Sequence, residues 1–139
     1  MKNLVLFAVV VCFSFGIKAQ TETSSTVTVT LEHVLNAEGS LLASLHSSDT
    51  FMKSEGLMSL KKNAAPGETT FTFENVTPGA YAIMILHDRN DNGRMDFESN
   101  GMPNEDYAMS NNPMFMGPPT FSDAKFEVTD QDFALTIRF

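Results

Sequence analysis

The sequence predicts an all-β protein, a single Greek-key β-sandwich of six or seven strands. Three observations carry that reading. Short runs alternate apolar and polar residues with a period of two, as in Val27, Val29 and Leu31 against Thr28, Thr30 and Glu32. Turn-forming residues separate the runs at Asn36 to Gly39, Pro66-Gly67 and Thr77-Pro78-Gly79. Apolar spacing at three and four residues, which marks a helix packed on a core, is essentially missing.

Residues 1–19 of the 139 read as an export signal rather than as part of the fold. Lys2 gives a positive start, Leu4 to Phe15 is almost wholly apolar, and Ile17-Lys18-Ala19 ends on a small residue suited to signal peptidase. The apolar run is too short for a comfortable membrane span and is followed by Thr and Ser. A periplasmic or secreted protein with no membrane span in its mature chain is therefore expected. Cys12, the only cysteine, follows Val11 where a lipoprotein signal would want a small residue, so the mature chain is expected to hold no thiol. Removing residues 1–19 takes away Lys2 and Lys18 and no acid, which moves the net charge from −8 to −10. Such a surface repels nucleic-acid phosphates and anionic lipid and attracts cations.

The mature chain divides into a flexible polar leader over 20–25 and one sandwich domain over 26–139, which nine of the twelve Phe and no Trp can fill. The first strand starts at Thr26. Asn36 to Gly39 turns the chain into a second, Leu41 to His46, interrupted by Ser44. Ser47 to Ala65 carries Phe51, Met52, Leu57, Met58 and Leu60 without a clear period and reads as a short helix or a loose crossover. Phe71 and Phe73 alternate with Thr70, Thr72 and Glu74 in a strand reaching about Val76. Tyr81 to His87 differs in kind: Tyr81, Ile83 and Ile85 share one face, Ala82, Met84 and Leu86 the other, and neither can be left in water. This predicts a central strand covered on both sides. Ser99 to Ser122 has no period but is rich in Met, Phe and Pro, and is expected to fold over the second face. Lys125 to Val128 and Asp132 to Phe139 finish the sheet.

Between the central strand and that long segment lies H-D-R-N-D-N-G-R-M-D-F-E, from His87 to Glu98. Asp88, Asn90, Asn92 and Asp96 stand at the first, third, fifth and ninth positions of a loop whose sixth position is Gly93. Hard oxygens at that spacing suit Ca²⁺, with a backbone carbonyl at Arg94 and a further carboxylate from Glu98 or Glu105. Ser99 at the twelfth position excludes a full EF-hand and predicts a weak site, roughly 10⁻⁴ to 10⁻³ M. The competing reading is a hairpin turn, for which Asn and Gly are suited by their tolerance of positive φ.

Other candidates are weaker. His87 and Asp88 fall on opposite faces by alternation, and no nucleophile elbow, paired-histidine metal motif or phosphate loop occurs, so no enzyme is expected. Met102, Met109, Met114 and Met116 could offer thioethers to Cu(I) or fill an irregular interface. Tyr107, Asn111 and Asn112 could meet a sugar or peptide, or could be turn formers that satisfy backbone groups.

Several ordered motifs carry a family likeness: G-x-Y-A-x-x-x-x-H-D at 79–88, N-D-N-G at 90–93, G-M-P-N-E-D-Y at 101–107, S-N-N at 110–112 and G-P-P-T-F-x-D-A-x-F at 117–126. The chain resembles bacterial domain-of-unknown-function family 2141, departing from its usual Gly-Phe at Ala108-Met109. The resemblance implies an exported sandwich of transthyretin-like or carboxypeptidase-regulatory-like type, where the strand pattern alone also fits an immunoglobulin-like one, and it implies no activity. The expectation is a monomeric, exported, non-enzymatic module with a weak Ca²⁺ site over 88–98. The alternative is an adhesin-like or carbohydrate- or peptide-binding module of the cell envelope, its partner an unidentified protein or glycan.

Overall fold

The computed structural model describes residues 23–114 and 117–139; the export signal, Cys12 and residues 20–22 of the polar leader, like Met116, lie outside the described residues. The chain forms an all-β sandwich. One sheet has the order β4-β1-β8, built from Gly67–Val76 (β4), Ser25–Val34 (β1) and Phe133–Arg138 (β8). The other runs β3-β2-β5-β6, from Met58–Asn63 (β3), Ser40–His46 (β2), Gly79–Asp88 (β5) and Tyr107–Met109 (β6), and Phe126–Val128 (β7) also pairs with β5. Consecutive strands pair antiparallel in β2–β3 and, across a long loop, in β5–β6. The chain crosses between sheets from β3 to β4 and again to β5, which sets β4 against β1 and β5 against β2, and β8 returns parallel to β1.

Alternation explains the main core. In the first sheet Val27 lies between Phe73 and Phe133, and Val29 between Phe71 and Leu135, while Thr28 and Thr30 look outward. Leu41, Ala43, Leu45, Ile83 and Ile85 face them from the second sheet. Burying such side chains contributes about 1.5–3 kcal/mol each.

The second face of β5 is covered as its composition predicts. Ala82 is fully buried in a smaller cluster with Phe51, Met109 and Ala124, against which Met84, Tyr107 and Phe121 pack. Phe51 comes from the turn after β2, Tyr107 and Met109 from β6, and Phe121 and Ala124 from a one-turn helix, Phe121–Ala124 (α1). Cover is complete at Ala82 but only partial at Met84 and Leu86. On its free edge β5 pairs with β6 through 84–86 and with β7 through 79–81. Buried Ser110 fills the gap: its hydroxyl accepts the Ile83 N–H and donates to the Ala124 carbonyl.

Two strands depart from the expected six or seven. In β3 the alternation of Met58 and Leu60 with Ser59 and Lys61 is brief, and its lysines belong to an exposed edge, where charge blocks further pairing. β6 has three residues, too few to show a period. The segment 47–65 is thus a turn and an edge strand rather than a helix.

The Asn36–Gly39 turn docks against the end of β5. The Glu38 carbonyl lies 2.8 Å from His87 Nε2, and a Cβ on Gly39, at φ 63°, would fall 2.0 Å from the Asp88 carbonyl oxygen. Glycine is required there by both angle and space.

His46, at the end of β2, sets its ring edge-on to Phe51 at 6.0 Å, and its buried Nδ1 has no partner. Burial lowers its pKa from 6.5, against a weaker opposing hydrogen bond with the Thr50 main chain. The fold thus favours the neutral ring, and the unfolded chain takes up the proton first as pH falls. His46 contributes stability that is complete above about pH 6.5 and is lost as pH drops through the lowered folded value. Thermal melts should show Tm falling between about pH 7.5 and pH 5, and His46→Gln should flatten that slope.

Candidate functional site

Asp88 closes β5 and is fully buried. Its carboxylate accepts the backbone N–H groups of Asn92 at 3.1 Å and Gly93 at 2.7 Å, which draws the loop into a ring. Asp91 and Gly93 turn that ring with φ of 58° and 81°. Open space surrounds the position a Gly93 Cβ would take, so the backbone angle alone accounts for the glycine. Among the described residues no basic side chain pairs with Asp88: the ion pairs join Lys61 to Asp91, Arg94 to Asp96, Lys125 to Glu127 and Arg138 to Glu32.

Across the ring three side chains converge. The amides of Asn90 and Asn92 lie 2.6 Å and 2.8 Å from the same Asp96 oxygen, Oδ2. They, and then the Arg94 guanidinium, hold the Asp96 carboxyl below the usual carboxylate range. The Asn90 and Asn92 side-chain oxygens accept the N–H groups of Asn92 and Arg94, so the loop is also consistent with a hydrogen-bonded turn. Rotating either amide to set its oxygen beside Asp96 would turn its nitrogen onto the main-chain N–H that the oxygen now accepts, so a cation held by these oxygens would replace those two bonds. Asp91 points away from the ring. The Ser40 hydroxyl and the Lys61 ammonium hold it, and they likewise keep its carboxyl below the usual range.

The predicted residues are only partly brought together. Asp88, Asn90, Asn92 and Asp96 form the ring, and Arg94 lies on it with its side chain exposed. Glu98 does not join. It is exposed in a turn closed by its own backbone, through Gly101 N–H to the Glu98 carbonyl and Glu98 N–H to the Met102 carbonyl. Glu105 reaches the loop instead. Buried beneath it, Glu105 accepts the N–H of Arg89 at 2.9 Å through Oε1 and that of Asp96 at 3.2 Å through Oε2. One carboxylate therefore clamps both ends of the loop. The Arg89 guanidinium adds a bond to the Asn104 carbonyl.

Among the described residues no three acids, histidines or cysteines converge closely enough to hold an ion by themselves. An ion here would rest on Asp88, Asp96, amide oxygens and main chain, a donor set that suits Ca²⁺ rather than a soft metal. The described methionines of the long segment do not share a site: Met109 is buried in the small cluster, whereas Met102 and Met114 are 62% and 99% exposed. His87 is core, stacked on Phe139 at 6.0 Å. Asn111 donates its amide to the carbonyls of Asp123 and Lys125, and Asn112 joins the Thr136 carbonyl and the Arg138 N–H, so both tie the long segment to α1 and β8. Of the three ligand candidates, Tyr107 alone lines open clefts without such a commitment.

Replacing Glu105 by Ala leaves two inward N–H groups without their carboxylate, a loss of about 1–3 kcal/mol for each. Urea melts should show Glu105→Ala destabilised by about 2–4 kcal/mol, with faster proteolysis within 89–104. Glu105→Gln, which keeps one acceptor oxygen, should fall between it and the wild type.

No curated protein and no solved structure matches the chain significantly. Residues 29–136, which hold the sandwich from within β1 to within β8 and the whole Asp88 loop, match the family described as "Uncharacterized protein conserved in bacteria (DUF2141)". The chain belongs to that bacterial family.

Proposed function

We propose that the protein is an exported, non-enzymatic sandwich module in which a weakly held Ca²⁺ pins the loop over 88–98 across the end of β5. The observation that carries this reading is the burial of Asp88. A carboxylate taken fully out of water with only two backbone N–H groups as partners calls for a counter-charge, and no basic side chain supplies one. Asp96, Asn90 and Asn92 converge on the same ring and bring oxygens that complete a cation's shell, with the Arg94 carbonyl as the main-chain donor. Glu105 holds the ring in shape. With two carboxylates in the shell, affinity falls in the range of extracellular modules, roughly 10⁻⁴ to 10⁻³ M. Export rests on the sequence: Lys2, the apolar run from Leu4 to Phe15 and the small residue Ala19 before Gln20. N-terminal analysis of the protein recovered from outside the cytoplasm should begin at Gln20, and an intact Met1 start would refute export.

At a Ca²⁺ concentration ten times its dissociation constant the ion should stabilise the fold by about 1.4 kcal/mol. That corresponds to a rise of several degrees in Tm. The same concentration of Mg²⁺, which demands a smaller octahedral shell, should do less. Asp88→Asn keeps the side chain's shape, so the variant should fold and lose most of the Ca²⁺ shift. An unmoved wild-type Tm, or an equal shift in Asp88→Asn, would overturn the reading.

A further inference from the structure

The outer face of the second sheet holds a trough that the ion reading does not use. Register places Leu42 beside Leu86 and Leu86 beside Tyr107, and Ser44 beside Met84 and Met84 beside Met109, in neighbouring rows on that face. At one end the trough widens into a cleft of about 560 Å³, lined by Met52, Met84, Met95, Phe97, Pro103 and Tyr107 among others. A second cavity, of about 200 Å³, shares Met84, Met95 and Tyr107 with the first and continues under Gly93 to Leu42, Ser44 and His46. A third, of about 510 Å³, carries on past His46 to Ser59 and Lys61. The three form one continuous channel across β6, β5, β2 and β3, apolar at the wide end and more polar at the other. Such a shape suits an extended chain better than a compact small molecule.

Charge identifies the occupant. The wide cleft is lined from 95–107, from 117–119 and by Met52, and those stretches hold Asp96, Glu98, Glu105 and Asp106, with Lys53 beside Met52 as the one neighbouring base. Of these acids Glu98 and Asp106 are exposed. Inside that rim Met52 and Phe97 are 57% and 62% exposed, and methionine adapts to varied apolar side chains. A second copy of this chain, itself at net −8, would bring like charge to the rim, and anionic lipid would be repelled in the same way. We propose that the trough binds an extended peptide segment of another protein, its apolar side chains seated on Met84, Met95, Phe97 and Tyr107 and its flanking lysines or arginines at the acidic rim.

The test uses two labelled synthetic peptides, one alternating leucine with lysine and the other leucine with glutamate, titrated with the full domain and followed by fluorescence anisotropy. A chelator in the buffer keeps the outcome separate from that of the ion. The leucine–lysine peptide should bind saturably, and the leucine–glutamate peptide at least tenfold more weakly. Met84→Gln should weaken binding of the first peptide tenfold or more. Phe97→Ser, at a loop position 62% exposed and outside the sandwich core, should do the same and guards against misfolding of the Met84 variant. Equal binding of the two peptides, binding of neither, or lysine-peptide binding unchanged in Phe97→Ser would overturn the proposal, the last by showing attraction to the acidic surface without use of the trough.

Discussion

β5 presents apolar side chains on both faces, and neither face is stable in water. Tyr81, Ile83 and Ile85 face the first sheet, and Ala82, Met84 and Leu86 face the other way. Burying the first set requires the sandwich. Burying the second requires a further layer, which the chain draws from Phe51, β6 and α1. The hydrophobic demand of one strand thus sets where the turn after β2 and the segment between β5 and β7 must lie. Because Met84 and Leu86 are covered only in part, it also leaves the trough.

The same strand delivers Asp88 to the loop. Two buried carboxylates then organise the backbone that follows, Asp88 by accepting N–H groups within the ring and Glu105 by accepting one at each end. Bonds to ionised acceptors are stronger than neutral ones, and buried carboxylates cannot exchange them for water. The loop is therefore a shaped element rather than a slack connection. Met95 and Phe97 flank Asp96, so the residues walling the trough and a residue of the oxygen ring share one short stretch of backbone.

Legibility followed the strength of local patterning. Val27 to Glu32, Phe71 to Glu74 and Tyr81 to His87 each repeat their alternation often enough to declare a strand and its inward face, and all three hold. β3 and β6 escaped for opposite reasons: β3 is an edge with little to bury, and β6 is pinned by Met84 and Leu86 of its partner rather than by a pattern of its own. In the loop, Asp88, Asn90, Asn92 and Asp96 were visible because their spacing is local. Glu105 is not part of that spacing, since it meets Arg89 from sixteen residues away. Of the two carboxylates the sequence offered, Glu98 and Glu105, Glu98 turns outward because the backbone of 98–102 closes on itself. Asn111 and Asn112 illustrate the same limit: an asparagine in a loop reads alike whether its amide meets a ligand or a neighbouring carbonyl.

Period-two hydrophobicity, the two-faced composition of β5 and the oxygen spacing after it are properties of consecutive residues, so the chain alone determined that the protein is a sandwich with a polar ring at the end of its central strand. Which distant carboxylate clamps that ring, which side chains cover Ala82 and how much of Met84 stays open depend on contacts between segments far apart in sequence. Only the tertiary structure decided those, because partners for buried N–H groups and apolar faces are chosen by proximity in space, and local patterning carries no record of it.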